Sequence, residues 1–332
     1  MKLPISHFRF RIEPAASRRG AAIGNRRAFS LVEILVVVSL LSVIILGLVA
    51  MFGQTQRAFR MGMTQTDVLE GGRMVTDLIR RELEQVAPSY LPRSGWAPGF
   101  PVYSQPNFMV WLPDATTPVQ PLVQPLPGSS APRTNLLGDL FFLTRYNQEW
   151  IGIGYFVRTN YPQANWQGRP VVGEPARTLG PGTLYRFETN APVLSGRTPA
   201  QMYLEFTAAV ANPYRASKIM DGVIHFRVCT FNTNSYWIVS NGDVSASGTQ
   251  DNTDILVSAS DPSKAGVFSF YSNAVPASVE LELGILEDRA WERFKALPDP
   301  GGQLRYLADR AGRVHLFRLR VPIRNVDPLA YR

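Results

Sequence analysis

Residues 26–52, RRAFSLVEILVVVSLLSVIILGLVAMF, decide how the rest of the chain is read. Two arginines precede Ala28 and Phe29, a single acid, Glu33, stands at the threshold, and residues 34–52 form a run of 19 residues without a charge. A helix of that length, at about 1.5 Å per residue, spans roughly 28 Å, close to the hydrocarbon thickness of a bilayer. One spanning helix is expected. Arginines before it and the lack of a base after it until Arg57 place the N-terminus in the cytoplasm and the chain beyond residue 53 outside. Glu33 is the anomaly, because a carboxylate entering hydrocarbon costs about 2.5–3.5 kcal/mol on insertion scales and so calls for a partner or a function.

Upstream, residues 1–28 read as a cytoplasmic leader: Lys2, Arg9, Arg11, Arg18, Arg19, Arg26 and Arg27 stand against Glu13 alone, with no apolar stretch among them. A secretory signal peptide carries its apolar region before the cut and loses it, whereas here that region follows. The leader holds most of the formal net charge of +8, so the remainder is close to balanced and no nucleic-acid partner is expected from charge. With 332 residues, 45% hydrophobic and 18% charged, the chain is long and apolar enough for one or two real cores. Its one cysteine, Cys229, permits no intrachain disulfide and reads as a small apolar filler.

AFSLVE at 28–33 resembles the processing and methylation signature of type IV prepilins and type II secretion pseudopilins. The resemblance implies that a prepilin peptidase cuts between Ala28 and Phe29 and methylates the new amino group of Phe29. Glu33 then becomes the fifth residue of the mature chain and pairs with the N-terminal ammonium of a neighbouring subunit, which supplies the partner that a charge in lipid requires. The family usually has glycine before the cut, where this chain has Ala28, the mildest substitute for a pocket that must be small. Partners implied are the peptidase, other minor and major pseudopilins or pilins, and inner-membrane lipid.

Beyond the apolar run, Val68, Gly72, Val75, Ile79, Leu83 and Val86 recur at steps of three and four, one stripe of an amphipathic helix that Pro88 ends. A helix over 29–86 would be roughly 85 Å long, with residues 29–53 as the transmembrane part and 54–87 as an external spine. Gly47, Gly53, Gly62, Gly71 and Gly72 are candidate bends, each about 1 kcal/mol worse than alanine in a helix. For Gly47, close packing against a neighbouring transmembrane helix is equally open. Residues 88–135 carry eleven prolines and read as an irregular excursion, extended at 107–112, whose aromatic residues pack it onto the domain rather than present it for proline-rich recognition.

From 136 to 332 the chain reads as a β-rich periplasmic domain. Strands are expected at 140–146, 151–159, 183–189, 202–208, 223–231, 236–240, 267–271, 278–286 and 314–321. The clearest alternates Val279, Leu281, Leu283 and Ile285 with Glu280, Glu282 and Gly284, a half-buried antiparallel strand. Helices are expected only at 288–297 and 303–310 in this half. The fold class is therefore α+β, a long N-terminal helix packed on antiparallel sheet, in keeping with a pilin-like fold. GRMVTDLIRREL at 72–83, GYFVR at 154–158, GTLYRF at 182–187, MDGV at 220–223 leading to Tyr236 and Trp237, PASVEL at 276–281 and the closing 317–325 are similar to the layout of J-type minor pseudopilins and related large minor pilins. Sheet packing of Tyr155 against Tyr185 would produce part of that pattern unaided.

Enzyme motifs are lacking. His225 and His315 each lie inside an expected strand, with no HExxH, no GxSxG, no phosphate-binding glycine loop and no Cys/His cluster, so no catalytic residue and no cofactor is expected. An oxygen-rich loop carries Asp243, Asp251 and Asp254, candidate calcium ligands, although its spacing matches no EF-hand and its composition is that of an ordinary polar hairpin. Arg305, Arg310, Arg313, Arg318, Arg320 and Arg324 are the nearest candidates for a basic face, interleaved with apolar strand residues. The reading reached is a non-enzymatic minor pseudopilin that initiates or caps a periplasmic filament for type II secretion. The alternatives are a minor pilin of a type IV pilus or a membrane-anchored periplasmic binding module.

Overall fold

The computed structural model describes residues 30–91, 105–112, 119–120, 122–126, 130–159, 177–178, 180–192, 198–238, 254–261 and 265–331. The chain divides into two compact units, Met1–Phe59 and Arg60–Arg332. One helix, α1 (Leu31–Leu83), runs through the boundary. It carries Glu33 in its first turn and Arg80 and Arg81 in its last, the charge placement that the helix dipole favours.

In the first unit α1 is uncharged and exposed on all sides from Ile34 to Phe52. In the second unit it is amphipathic, and Val68, Gly72, Val75, Ile79, Leu83 and, past its end, Val86 are all buried as the three-and-four spacing requires. Val86 leaves the helix to form an antiparallel bridge with Thr144, two residues ahead of Pro88. The helix runs unbroken through Gly71 and Gly72. Gly72 serves close approach rather than bending: a Cβ there would meet the Phe317 ring at 2.2 Å.

The sheet of the second unit has nine antiparallel strands. In chain order the strands are β1 (Phe108–Leu112), β2 (Val119–Gln120), β3 (Leu122–Gln124), β4 (Arg133–Asn135), β5 (Asp139–Tyr146), β6 (Glu149–Thr159) and β7 (Arg177–Thr178). They continue with β8 (Gly182–Pro192), β9 (Ser217–Phe231), β10 (Ile255–Asp261), β11 (Ala265–Phe270), β12 (Ser278–Leu286) and β13 (Val314–Pro322). The large sheet is ordered β10-β11-β1-β5-β6-β8-β9-β12-β13, while β2 with β7 and β3 with β4 form small pairs. This is the expected α+β class. In β12, Val279, Leu281, Leu283 and Ile285 are buried and Glu280 and Glu282 half-buried, in keeping with the expected alternation, which ends at Gly284 because that residue and Leu286 are buried as well.

Four readings change. Residues 202–208, expected as a strand, lie in a helix, α2 (Pro199–Ala211), which opens with Thr198 and Gln201 in a capping box and Pro199 in the first turn. Its buried Met202, Tyr203, Phe206 and Ala209 follow helical spacing, and Phe206 sits so close over Gly154 that a Cβ there would lie 2.2 Å from the ring. The proline-rich stretch supplies β1, an inner strand between β11 and β5, because its five residues fall between Pro106 and Pro113 and contain no proline. Tyr185 stacks on Phe156, with centroids 5.5 Å apart, instead of on Tyr155, whose register partner is Arg186. The expected strand at 236–240 reduces, in its described part, to a bridge from Trp237 to Phe231, and β10 was not foreseen.

The second half of α1 covers one face of the sheet, over a core that includes Phe142, Ile153, Tyr155, Phe226 and Leu281. Helix α2 covers the other face, over Phe141, Leu143, Phe156 and Phe187. A third cluster joins Leu122, Ile224 and Leu286 to α3 (Asp288–Lys295) and α4 (Pro300–Ala308), the two helices expected in this half.

Candidate anchoring and assembly site

The first turn of α1 positions Glu33. Ser30 caps the helix: its carbonyl accepts the amides of Glu33 at 3.0 Å and Ile34 at 3.2 Å, and its Oγ accepts the Glu33 amide at 3.2 Å. The Glu33 side chain is exposed and forms no ion pair or hydrogen bond with any described residue. Around it the side chains from Leu31 to Phe52 are exposed, Leu31 at 80% and Leu46 at 69%. A continuous apolar surface of this size is far beyond what a water-soluble monomer exposes, and marks a membrane or protein interface.

Hydroxyl groups inside the run and just beyond it are satisfied within the helix. Ser39 Oγ donates to the Val36 carbonyl at 2.8 Å, Ser42 Oγ to Val38 at 2.8 Å and Thr55 Oγ1 to Met51 at 2.9 Å. In hydrocarbon no water is present to take these bonds, so back-bonding to the helix removes the penalty of an unpaired hydroxyl. Glu33 is left as the one charged group between Ser30 and Phe52. By length and composition α1 is able to cross a membrane. Burying a single Leu, Val or Ile stabilises by about 1.5–3 kcal/mol, so one or two of the many aliphatic side chains offset what Glu33 costs.

The other acid of consequence on α1 is fully partnered. Glu82 Oε1 accepts Arg186 Nε at 2.9 Å and Nη2 at 2.6 Å, Oε2 accepts the Tyr155 hydroxyl, and Arg186 also pairs with Glu188. Burial, then the charge of Glu82, pushes the Tyr155 hydroxyl well above the usual phenol range, so it remains a donor. Burial disfavours the Arg186 charge, but its bonds to Glu82 outweigh that and hold the guanidinium ionised. Arg324 pairs with Glu84 at 2.8 Å and Asn325 donates to the Val86 carbonyl at 2.8 Å, so the closing segment clasps the end of the helix. The sequence carries one local signal of this network, an acid, Glu82, one position before a buried stripe residue.

Of the residues singled out from sequence, Ala28 and Phe29 lie outside the described residues, as do Asp243 and Asp251. Asp254 accepts the Tyr271 amide on its carbonyl at 2.7 Å, and among the described residues no group of His, Cys, Asp and Glu could hold a metal ion. His225 is a structural clamp. Its Nδ1 accepts the Leu136 amide at 3.0 Å, which leaves the proton on Nε2, 3.3 Å from Glu282 Oε2. That contact holds the Glu282 carboxyl below its usual range, against burial and with help from Arg227 and Arg318. His315 lies 3.5 Å from Glu287. Cys229 is buried, and burial pushes its thiol up to about 11.

Most of the six arginines that are the nearest candidates for a basic face have local partners: Arg313 with Glu287, Arg318 with Glu280 and Glu282, Arg324 with Glu84, and Arg320 over the Phe231 ring.

Residues 23–49 match the family model described as the prokaryotic N-terminal methylation motif. No curated protein and no solved structure matches the chain. The motif, on a long apolar helix ahead of an antiparallel sheet, supports a type IV pilin-like protein, a class that is non-enzymatic in general. It implies processing by a prepilin peptidase and assembly with other pilins, and with one apolar N-terminal helix it fits a single-pass inner-membrane protein.

Proposed function

We propose that this chain is a minor pseudopilin, a rare subunit that joins other pilin-like chains to initiate or cap a short periplasmic filament for type II protein secretion. The prepilin peptidase cuts between Ala28 and Phe29 and methylates Phe29. The mature chain waits with residues 29–53 in the inner membrane and its C-terminal domain in the periplasm. Glu33 then meets the N-terminal ammonium of a neighbour, and its cost in lipid makes that docking favourable.

The observation that carries this reading is one segment in which the motif match, an all-round apolar surface and a lone carboxylate without a described partner coincide. The place at a filament end is supported by bulk. A second unit of residues 60–332 follows a single helix, and such a headgroup crowds a long stack but not a tip. The resemblance of the sequence layout to J-type minor pseudopilins supports the assignment within the class.

Glu33→Ala and Glu33→Val test it. Both variants are expected to insert and be processed normally, yet to be missing from sheared or purified filament fractions; normal incorporation would sink the proposal. Mass spectrometry of the mature chain should find methylated Phe29 at its N-terminus, and an intact Met1 refutes processing.

A further inference from the structure

Four arginines converge on a cavity of about 220 Å³ beside α3. Arg289 and Arg293 are one helical turn apart on α3 and face the same way, a like-charge arrangement that weakens a helix unless something neutralises it. Neither has an ion pair among the described residues. Arg310 and Arg313 complete the set from the turn after α4. Arg313 Nη1 donates to Glu287 Oε2 at 3.1 Å, and the Arg310 guanidinium lies 5.1 Å over the Tyr306 ring. The Asp288 carboxyl beside them is held above its usual range by burial and then by Asp67, Glu292 and Asp221.

We propose that this cavity is a socket for a carboxylate side chain from an acidic segment of a partner subunit. The inference rests on the reading of the chain as an assembling subunit and names the chemistry of one contact in that assembly. Guanidinium forks match carboxylates in geometry as well as charge. Glu287, buried in the wall, already shows a carboxylate taken up by this cluster, and its own charge weighs against a dianion such as phosphate. Ala290, the Tyr306 ring and the arginine stems give the socket apolar sides for the methylenes of an acidic side chain. Its volume falls below the ~300–1,000 Å³ of pockets for free small molecules. Gln65 of α1, the helix assigned to assembly, forms part of the rim.

The test is calorimetric titration of the full-length protein, in an uncharged detergent at low salt, with three ligands: a glycine-flanked tri-glutamate peptide, its tri-glutamine counterpart and inorganic phosphate. The tri-glutamate peptide should bind, weaken with added salt, and lose at least tenfold in affinity in the Arg289→Gln/Arg293→Gln variant. Arg305→Gln, at an exposed site outside the cavity, should bind as the parent does. Equal binding by the double variant, equal binding of the tri-glutamine peptide, tighter binding of phosphate, or no tri-glutamate binding at millimolar concentration would each overturn the socket. Glu33→Ala should bind the peptide normally. Peptide binding together with normal assembly of Glu33→Ala therefore refutes the filament reading and leaves the socket standing, while the reverse pair of results removes only the socket.

Discussion

Three carboxylates show how placement decides the behaviour of one functional group. Glu33 sits without a described partner on an apolar helix surface, Glu82 accepts three hydrogen bonds at the sheet, and Asp139 opens β5 between Trp111 and Phe156. Burial pushes the Asp139 carboxyl up to about 8. The unfolded chain ionises this group near 3.8, so between the two values the folded protein binds a proton that the unfolded chain has released. Its contribution is therefore present at low pH and is lost as pH rises through 8. Asp139→Asn, which mimics the protonated form, should raise stability at pH 8 by up to about 5 kcal/mol and change it little near pH 4. An equal effect at both pH values, read by calorimetric melting, contradicts the assignment. Glu82 is the opposite case: its pair with Arg186 is half-buried, so removing one partner should cost less than the about 3–5 kcal/mol of a fully buried pair.

Helix α1 is held to the sheet through one glycine as much as through its aliphatic stripe. Gly72 lets the backbone approach Phe317 of β13 and Ile285 of β12, where any Cβ would overlap the ring. Gly72→Ala should cost about 1–3 kcal/mol by overpacking, although alanine is the better helix former. Phe317→Leu in the same chain should recover part of the loss, a coupling that a double-mutant cycle measures. Additive losses would show that the close approach is not the cause. The stripe itself was legible because burial of one helix face repeats every three or four residues. Helix α2 was harder: Met202, Tyr203, Leu204 and Phe206 suit a strand by composition, and only the capping box at Thr198 and Gln201 with Pro199 between them tells of a helix.

The molecule joins an apolar helical unit to a β-rich unit, and the physical demands on the two differ. The described part of the first unit, residues 30–59, can be stable only where its exposed aliphatic surface is covered, by lipid or by other helices. Arg60–Arg332 has its own core on both faces of the sheet. The chain should therefore sediment with membranes and resist alkaline carbonate extraction, and it should be released by detergent. Protease added to spheroplasts is expected to digest the C-terminal domain; full protection of that domain would reverse the proposed orientation.

Local pattern was enough for the apolar span, the methylation motif, the buried stripe of α1 and the alternation in β12, since each is written in neighbouring residues as a period or a short string. Sequence could not place β1 in the interior of the sheet, pair Tyr185 with Phe156, join Glu82 to Arg186 across 104 positions or gather Arg289, Arg293, Arg310 and Arg313 around one cavity. Those arrangements depend on strand order and register, where a shift of one residue exchanges the faces of a strand, and on crossovers that bring distant segments together. They exist only once the chain has closed on itself.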